Sequence, residues 1–169
     1  MARLPRASRS PADEYFAPAR PRVFAHRGLA TEAPENTLLA FAHAVGVGAD
    51  YIETDVQVSR DGVAIIAHDT DLTRVAGREL RVDQLTLAEL RRIDLGHGQG
   101  FCSLTDALDA FPRTRFNIDV KAAGAVEPTI ACVSPAGTVS EKSRSTARSA
   151  SVGGSGASPS PSGWGGGRW

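Results

Sequence analysis

Several features that would assign a protein to a functional class are scarce or absent in this sequence. It carries no excess charge, because 19 Lys and Arg residues balance 19 Asp and Glu residues. Proteins that bind nucleic acid or membrane surfaces usually have a basic excess, so neither class is indicated. No stretch approaches the roughly 20 apolar residues that cross a bilayer. The basic start is not followed by the apolar run of a secretory signal.

Cysteine is also scarce. The only two cysteines, Cys102 and Cys132, do not have the spacing of a metal-binding or redox motif. We expect both to be small buried residues in a reducing compartment. Together with the absence of a visible signal, this predicts a cytoplasmic location.

Composition divides the chain into three regions. Residues 1–22 are rich in Pro and Arg, and we expect a disordered basic leader; an organellar transit peptide is the alternative. Residues 23–133 have the apolar periodicity of a folded domain. Residues 134–169 contain 10 Ser, 8 Gly and 3 Pro among 36 residues, and they offer too little apolar surface to offset the entropy of ordering. This predicts a disordered low-complexity tail.

The middle region alternates between strand and helix patterns, which predicts a parallel α/β fold. A turn signal, Arg60-Asp61-Gly62, separates two strand patterns and predicts a hairpin. The first predicted helix has its apolar face at Leu38, Phe41, Ala42 and Val45, with Asn36 or Thr37 as its N-cap. Strands are predicted over 23–25, 51–58, 63–67 and 116–120, and helices over 37–45, 86–93, 103–112 and 125–133.

Two of the predicted strands carry charged residues at alternating positions. Glu53 and Asp55 share one face of the predicted strand 51–58. Asn117, Asp119 and Lys121 share one face of the predicted strand 116–120 and the residue that follows it. Acids within an apolar strand are costly unless they are solvated, paired or bound to a cation. Oxygen ligands from two parallel strands suit a hard cation, Mg²⁺ or Ca²⁺. The alternatives are an edge strand with a solvated face and an exposed strand end.

Two of the four histidines follow strand patterns, where the loops of α/β folds build functional sites. His26 ends the first strand and His68 follows the hairpin, whereas His43 lies inside a helix and His97 lies in a glycine-rich loop. Histidine exchanges protons near neutral pH, so His26 and His68 are candidates for acid–base chemistry. The residues alone do not specify the reaction.

An ordered set of short motifs resembles the glycerophosphodiester phosphodiesterase family over about residues 23–133. The motifs occur in the family's order and with similar gaps. They are Ala25-His26-Arg27-Gly28, Pro34-Glu35-Asn36-Thr37, Glu53-Thr54-Asp55-Val56, His68-Asp69, Leu72-Thr73-Arg74, Leu85-Thr86, Glu89-Leu90, Ser103-Leu104 and Asn117-Ile118-Asp119-Val120-Lys121.

The resemblance implies a TIM (β/α)8 barrel of the PLC-like phosphodiesterase type. It also implies an enzyme, a phosphoric diester hydrolase that uses a divalent cation, Ca²⁺ or Mg²⁺. Its substrates would be small-molecule glycerophosphodiesters, which it converts to sn-glycerol 3-phosphate and an alcohol in lipid and glycerol metabolism. A related phosphodiesterase of the phospholipase D type, acting on lysolipids or sphingolipids, is the alternative within the enzyme class.

Matching positions carry the family's site residues onto this chain. The resemblance implies that Glu53, Asp55 and Asp119 are metal ligands and that His26 and His68 are the catalytic pair. It implies in the same way that Arg27 and Lys121 bind the substrate phosphate. Asp119 stands where many members of the family have Glu, and its side chain is one methylene shorter.

The predicted strands account for only part of a barrel, which needs eight strands and about 250 residues. The change to Ser/Gly/Pro-rich sequence after about residue 133 leads us to expect an incomplete barrel, produced by truncation or by a frameshift. An inactive fragment is therefore the alternative outside the enzyme class.

Overall fold

A computed structural model of the chain describes residues 15–17 and 21–134. The remainder of the predicted leader and of the predicted tail therefore lies outside the described residues. Within the described part, the strands are β1 (Phe24–His26), β2 (Tyr51–Val58), β3 (Ala64–Ile66), β4 (Asp71–Leu72), β5 (Arg78–Arg81) and β6 (Arg115–Val120). The α-helices are α1 (Leu38–Gly46), α2 (Thr73–Ala76), α3 (Leu87–Leu90), α4 (Leu104–Ala110) and α5 (Val126–Val133).

The main sheet is organised around β2. Along one side, β2 pairs in parallel with β6 from Tyr51↔Arg115 to Val56↔Val120. Along the other side it pairs in parallel with β1 and then antiparallel with β3. The predicted hairpin and the predicted parallel α/β arrangement are confirmed. The alternative of an edge strand with a solvated face is wrong for β2, because its backbone is paired on both sides.

A second, two-stranded sheet lies outside the main sheet and was not predicted. β4 pairs antiparallel with β5, and the four-residue helix α2 connects them. All four residues of β5 are exposed, so its polar sequence has no alternation between buried and solvated positions. The hairpin is anchored to the apolar core by Leu72 and Val82, whose side chains are 0% and 1% exposed.

Helix α1 has Thr37 as its N-cap, whose hydroxyl accepts a hydrogen bond from the Ala40 backbone N–H at 3.3 Å. Its buried residues are Ala40, Phe41 and Ala44, and of the predicted apolar face Phe41 is buried and Leu38 is half-buried. The prediction was wrong at Ala42 and Val45, which are exposed. Small side chains face inward because the chain near Gly28 packs directly on the helix, with the Leu29 N–H donating to the Ala40 carbonyl at 2.9 Å.

Two further helices begin with the reciprocal hydrogen bonds of a capping box. Thr86 and Glu89 form one at the start of α3, within the helix predicted over residues 86–93, and Ser103 and Asp106 form the other at the start of α4. α3 is shorter than predicted and ends at Leu90. α4 and α5 agree with the predicted helices to within a few residues.

Apolar residues form two clusters. The larger lies between the helices and one face of the main sheet, and it contains Phe41, Ile52, Val56, Ala64, Ile66, Cys102, Leu104, Ala107 and Ala125. The smaller fills the space under the β4–β5 hairpin with Ile65, Ala67, Leu72, Val82, Leu90, Ile93 and Phe101. Cys102 is buried as expected, and burial raises the pKa of its thiol to about 12, whereas Cys132 is half-buried.

The opposite face of the main sheet is polar towards the carboxyl ends of its parallel strands and aromatic towards their start. There Tyr51 stacks on Phe24 with ring centroids 4.3 Å apart. Tyr15, from the predicted leader, donates its hydroxyl to the Phe116 carbonyl at 2.9 Å. The packed structure thus reaches a residue before the predicted domain start at residue 23. No helix in the described part of the chain is long and apolar enough to cross a membrane.

Candidate active site

The candidate site lies on the polar face of the main sheet, where the parallel strands bring the predicted residues together. Asp55 is directly opposite Asp119 of β6 in the strand register. Glu53 is opposite His26 of β1 on one side and Asn117 of β6 on the other. Asn117 and Asp119 are exposed, while Ile118 and Val120 pack on the larger apolar cluster. The alternation predicted for β6 is therefore confirmed.

Asp55 is the most buried carboxylate of the site, at 1% exposure. Its Oδ2 accepts a hydrogen bond from Asn36 Nδ2 at 3.1 Å and lies 3.1 Å from Arg27 Nε. Its Oδ1 lies 3.1 Å from Lys121 Nζ. The Asn36 side chain is held in turn by the Thr54 hydroxyl, which donates to Asn36 Oδ1 at 2.8 Å. A buried carboxylate requires this degree of compensation, because an unpaired charge would be strongly unfavourable there.

Arg27 has a left-handed backbone, with φ of 56°, which is uncommon for a residue other than glycine. This conformation directs its backbone N–H towards Glu53, whose carbonyl and Oε2 lie 2.9 and 3.2 Å away. The guanidinium extends in the other direction and donates from Nη1 to Glu35 Oε1 at 3.0 Å. Arg27 therefore joins β1 to β2 through its backbone and to the Glu35 loop through its side chain.

His68 belongs to a row of ionic hydrogen bonds. Its Nδ1 lies 2.6 Å from Asp69 Oδ1, and Arg74 Nε donates to Asp69 Oδ2 at 2.7 Å. Arg74 Nη2 then donates to Glu35 Oε1 at 2.5 Å. Burial raises the pKa of Asp69, but the hydrogen bonds from His68 and Arg74 outweigh it and the net shift is downward. Asp69 is therefore ionised at neutral pH, and Nδ1 of His68 carries the proton in this hydrogen bond.

Two predicted residues lie at the solvated side of the site. The His26 side chain is 70% exposed, with Nε2 3.9 Å from Glu53 Oε2. Lys121 Nζ lies between two carboxylates, 2.6 Å from Asp119 Oδ2 and 3.1 Å from Asp55 Oδ1. The hydrogen bonds to Asp119 and then to Asp55 raise the pKa of Lys121, so it is a cation at neutral pH.

A cavity of about 190 Å³ opens beside His68 and Asp69. One wall is apolar and comes from the β4–β5 hairpin and the segment before α4, with Leu72, Val75 and Phe101. The other wall is charged and includes Glu35 and Arg74. Of the predicted site residues, His68 lines this cavity, whereas the predicted metal ligands and phosphate-binding residues do not.

The predicted metal ligands have the donor chemistry of a cation site. Glu53, Asp55 and Asp119 offer only oxygen atoms, and the register places Asp55 beside Asp119, so the donor set suits a hard cation. Among residues 15–17 and 21–134, however, no three His, Cys, Asp or Glu side chains are grouped closely enough to hold a metal ion. The ammonium of Lys121 lies between Asp55 and Asp119 instead. The ligand set fits by chemistry and register and stays a prediction.

Four residues of the site were given no part in it from the sequence, although Asn36 was a candidate helix N-cap: Glu35, Asn36, Asp69 and Arg74. All four occur within the motifs that carry the family resemblance, so the signal was present. Spacing could not reveal their function, because the contact between Arg74 and Glu35 joins residues 39 positions apart. The structure joins these four residues with Arg27, Asp55, Lys121 and His68 in one connected network.

Replacing Glu35 by Gln is expected to lower stability by about 1 kcal/mol at pH 7, because the carboxylate bonds two guanidiniums while partly solvated. The hydrogen bond from Arg74, opposed by burial and aided by Arg27, lowers the pKa of Glu35. Its contribution is thus fully present above the unfolded pKa of about 4.3 and is lost as the pH falls through the lower folded pKa.

Urea unfolding of both proteins at neutral pH and at about pH 3 measures this difference. The difference in free energy of unfolding between wild type and Glu35→Gln should be smaller at the acidic pH. The exposed Glu79, replaced by Gln, is the matched control and should change stability little at either pH. An equal gap at both pH values would contradict an ionic role for Glu35.

Solved structures with the same arrangement of strands and helices identify the class of protein. The chain superposes on a phosphodiesterase of Oleispira antarctica, solved with its product sn-glycerol-3-phosphate, with a TM-score of 0.62 and 28% identity over 66% of this chain and 51% of that one. It also superposes on the glycerophosphodiester phosphodiesterase of Thermotoga maritima, with a TM-score of 0.60 and 30% identity over 66% of this chain and 49% of that one. The fold is thus part of a TIM-barrel phosphodiesterase.

The sequence itself identifies the family. The chain belongs to the glycerophosphoryl diester phosphodiesterase family, whose sequence model matches residues 26–148. It is 46% identical over 109 residues to the probable glycerophosphodiester phosphodiesterase 2 of Mycobacterium tuberculosis, across 64% of this chain and 41% of that protein. It is also 34% identical over 113 residues to Lysophospholipase D GDPD1 of Mus musculus, across 59% of this chain and 36% of that protein.

The comparisons cover only part of each relative, and the predicted domain boundaries stay a prediction. The family match ends at residue 148, further than the predicted domain end at residue 133. The chain spans 41% of the Mycobacterium tuberculosis relative and about half of each solved structure named above. The predicted partial barrel is confirmed in this sense: the matched part corresponds to one portion of a TIM barrel.

Proposed function

We propose that this chain hydrolyses glycerophosphodiesters to sn-glycerol 3-phosphate and an alcohol. Membership of the family supports the reaction type, and the observation that carries the proposal is the connected network described above. It gathers a histidine, two guanidiniums and an ammonium with carboxylates on one face of the sheet. A phosphodiester is an anion, so its hydrolysis needs positive charge near the phosphate and a group that transfers a proton.

In this proposal each residue has one task. Arg27 and Lys121 hold the non-bridging phosphate oxygens and offset their charge. His68 is bonded through Nδ1 to Asp69, which leaves Nε2 to exchange a proton with the substrate, and His26 acts at the other end of the displacement. One histidine takes a proton from the attacking hydroxyl, and the other gives a proton to the alcohol oxygen as its bond to phosphorus breaks. The attacking hydroxyl belongs to water or to the glycerol portion of the substrate.

A divalent cation, Ca²⁺ or Mg²⁺, completes the proposed site. Glu53, Asp55 and Asp119 would hold it through their carboxylate oxygens. When bound, such a cation neutralises phosphate charge and stabilises the oxygens that gain charge during the displacement. Asp55 and Asp119 already share the Lys121 ammonium, and Asp55 also pairs with the Arg27 guanidinium, so a bound cation would share these carboxylates with Lys121.

The test is release of sn-glycerol 3-phosphate from glycerophosphocholine by the purified chain in Ca²⁺ or Mg²⁺, followed by the same assay with chelator. Chelation is expected to lower the rate at least about tenfold, and Glu53→Gln should do the same in the presence of metal. Asp109→Asn, which changes an exposed acid of α4, is the matched control and should keep the wild-type rate. Release that persists unchanged in chelator would contradict the metal-dependent site.

A second activity is favoured by the similarity to Lysophospholipase D GDPD1 of Mus musculus. Lysophosphatidylcholine therefore belongs in the same assay, with choline release as the readout. Turnover of this lipid in preference to glycerophosphocholine would replace the proposed substrate while keeping the site. A folded, monodisperse chain with no chelator-sensitive turnover of either compound would support the alternative of an inactive fragment.

A further inference from the structure

Arg74 is an unusual member of the site network, because it does not come from the main sheet or its loops. It lies in the four-residue helix α2 of the separate β4–β5 hairpin. From there its guanidinium bonds Asp69 through Nε at 2.7 Å and Glu35 through Nη2 at 2.5 Å. Both carboxylates belong to loops that follow strands of the main sheet. Arg74 is thus the direct link between the hairpin and the two loops.

The carboxylate of Asp69 is divided between two partners. Oδ2 accepts from Arg74, and Oδ1 accepts from His68 Nδ1 at 2.6 Å. A carboxylate held at one oxygen has little freedom to rotate, so the direction of the other oxygen is fixed. Glu35 accepts from Nη2 of the same guanidinium and also accepts from Arg27 Nη1 at 3.0 Å. Arg74 therefore orients the imidazole of His68 indirectly, through the carboxylate of Asp69 that lies between them.

We propose that Arg74 is a positioning residue that holds His68 in the Nδ1–H tautomer, with Nε2 directed at the substrate, by fixing the carboxylate of Asp69 from the β4–β5 hairpin. The catalytic part of this inference rests on the proposed function of His68. The positioning itself does not, since it is a property of the hydrogen bonds alone. Of the charged groups that line the cavity beside His68, namely Glu35, Asp69, Asp71 and Arg74, only Asp69 bonds the imidazole.

The geometry requires arginine and not simply a positive charge. Arg74 bonds the two acids through different nitrogens of one planar group, so both directions are set together. Lysine has a single charged nitrogen on a flexible stem and cannot reproduce this fork. Arg74→Lys therefore keeps the charge and removes the orientation, and Arg74→Met removes both. The comparison of the two variants separates electrostatics from positioning.

The tautomer of His68 can be observed directly by nitrogen NMR of the full chain labelled with ¹⁵N. At about pH 8.5 histidine side chains are generally neutral, and the two tautomers have distinct nitrogen shifts. The His68 signals are assigned by their loss in His68→Gln. In the wild type we expect the Nδ1–H form. In Arg74→Lys and Arg74→Met we expect a mixture in which the Nε2–H form is substantial.

Arg81→Met is the matched control, because Arg81 lies in the same hairpin and bonds a different acid, Asp83, at the surface. It should leave the His68 signals unchanged. Far-UV circular dichroism and thermal melting show which variants are folded, and Arg74→Lys serves if Arg74→Met does not fold. An unchanged Nδ1–H tautomer in a folded Arg74 variant would overturn the proposal.

Kinetics then separate this inference from the proposed function. If the wild type turns over substrate, both Arg74 variants should lose about 10- to 100-fold in kcat with KM changed by less than about threefold. Wild-type kcat in a folded Arg74→Lys protein would overturn the catalytic importance of the positioning. A shifted tautomer in the variants of a chain without any turnover would support the positioning and refute the proposed function instead.

Discussion

His68→Ala is expected to lower kcat/KM for the proposed substrate by about 10²- to 10⁴-fold, the range usually contributed by a positioned acid or base. The reason is the fixed hydrogen bond from His68 Nδ1 to Asp69 at 2.6 Å, which leaves Nε2 as the nitrogen that exchanges a proton. The histidine and its partner Asp69 both line a cavity of about 190 Å³. Steady-state kinetics at saturating divalent cation measure the effect.

The control for this variant is another histidine of the same domain. His97 is exposed in a glycine-rich loop and has a left-handed backbone, with φ of 55°, so Asn is the replacement that tolerates its conformation. His97→Asn should keep the wild-type rate. Activity of folded His68→Ala within about threefold of wild type would remove His68 from the mechanism.

Gly28→Ala is expected to lower the free energy of unfolding by about 3 kcal/mol, because the added methyl group combines backbone crowding with an unfavourable left-handed conformation. Gly28 has φ of 84°, and a Cβ added there would lie 2.7 Å from the backbone carbon of Ala40 in α1. Neither the helix backbone nor the loop can move without disturbing the hydrogen bond from Leu29 to Ala40. Equilibrium urea unfolding measures the change.

Gly48→Ala separates backbone strain from crowding in that experiment. Gly48 has φ of 87°, close to that of Gly28, but a Cβ added there would meet nothing within 4 Å. Its substitution should cost only about 1 kcal/mol, the conformational part of the penalty. Equal losses in the two variants would show that the contact between Gly28 and Ala40 contributes nothing.

Much of the main sheet could be predicted from the sequence because its local patterns agree with its tertiary packing. Tyr51–Val58 alternates in sequence, and the Arg60-Asp61-Gly62 turn returns the chain antiparallel along the same strand. The capping box of Thr86 and Glu89 marked the start of α3 directly. In each case the residues that make the stabilising contacts are near one another in sequence, so their spacing predicts the contacts.

The β4–β5 hairpin and the inward face of α1 could not be predicted in this way. Arg78–Arg81 is exposed along its whole length, and the hairpin depends on Leu72 and Val82, which pack on residues distant in sequence. In α1 the large apolar residues suggested one face, but close approach by the chain near Gly28 selects Ala40 and Ala44. Tertiary contact overrides the local pattern at both places.

In the candidate site, too, the features set by local patterns could be predicted and those set by tertiary contacts could not. Alternation along the strands placed Glu53 with Asp55 and Asn117 with Asp119, because side-chain direction in a strand is a local property. The partners of His68 were not predictable, since the Asp69–Arg74–Glu35 connection crosses between two sheets. The ion pair of Lys121 with Asp55 likewise depends on the register between β2 and β6, whereas its ion pair with Asp119 joins residues only two positions apart.

The attachment of Arg74 to a helix of four residues has a consequence for how this region tolerates changes of length. Insertion of one residue between Leu72 and Arg74 would turn the guanidinium about 100° around the helix axis and away from both acids. Insertions and deletions are tolerated more readily after Gly77, because the side chains of β5 are exposed. Homologous chains should therefore conserve the distance from Asp69 to Arg74 while varying in length beyond it.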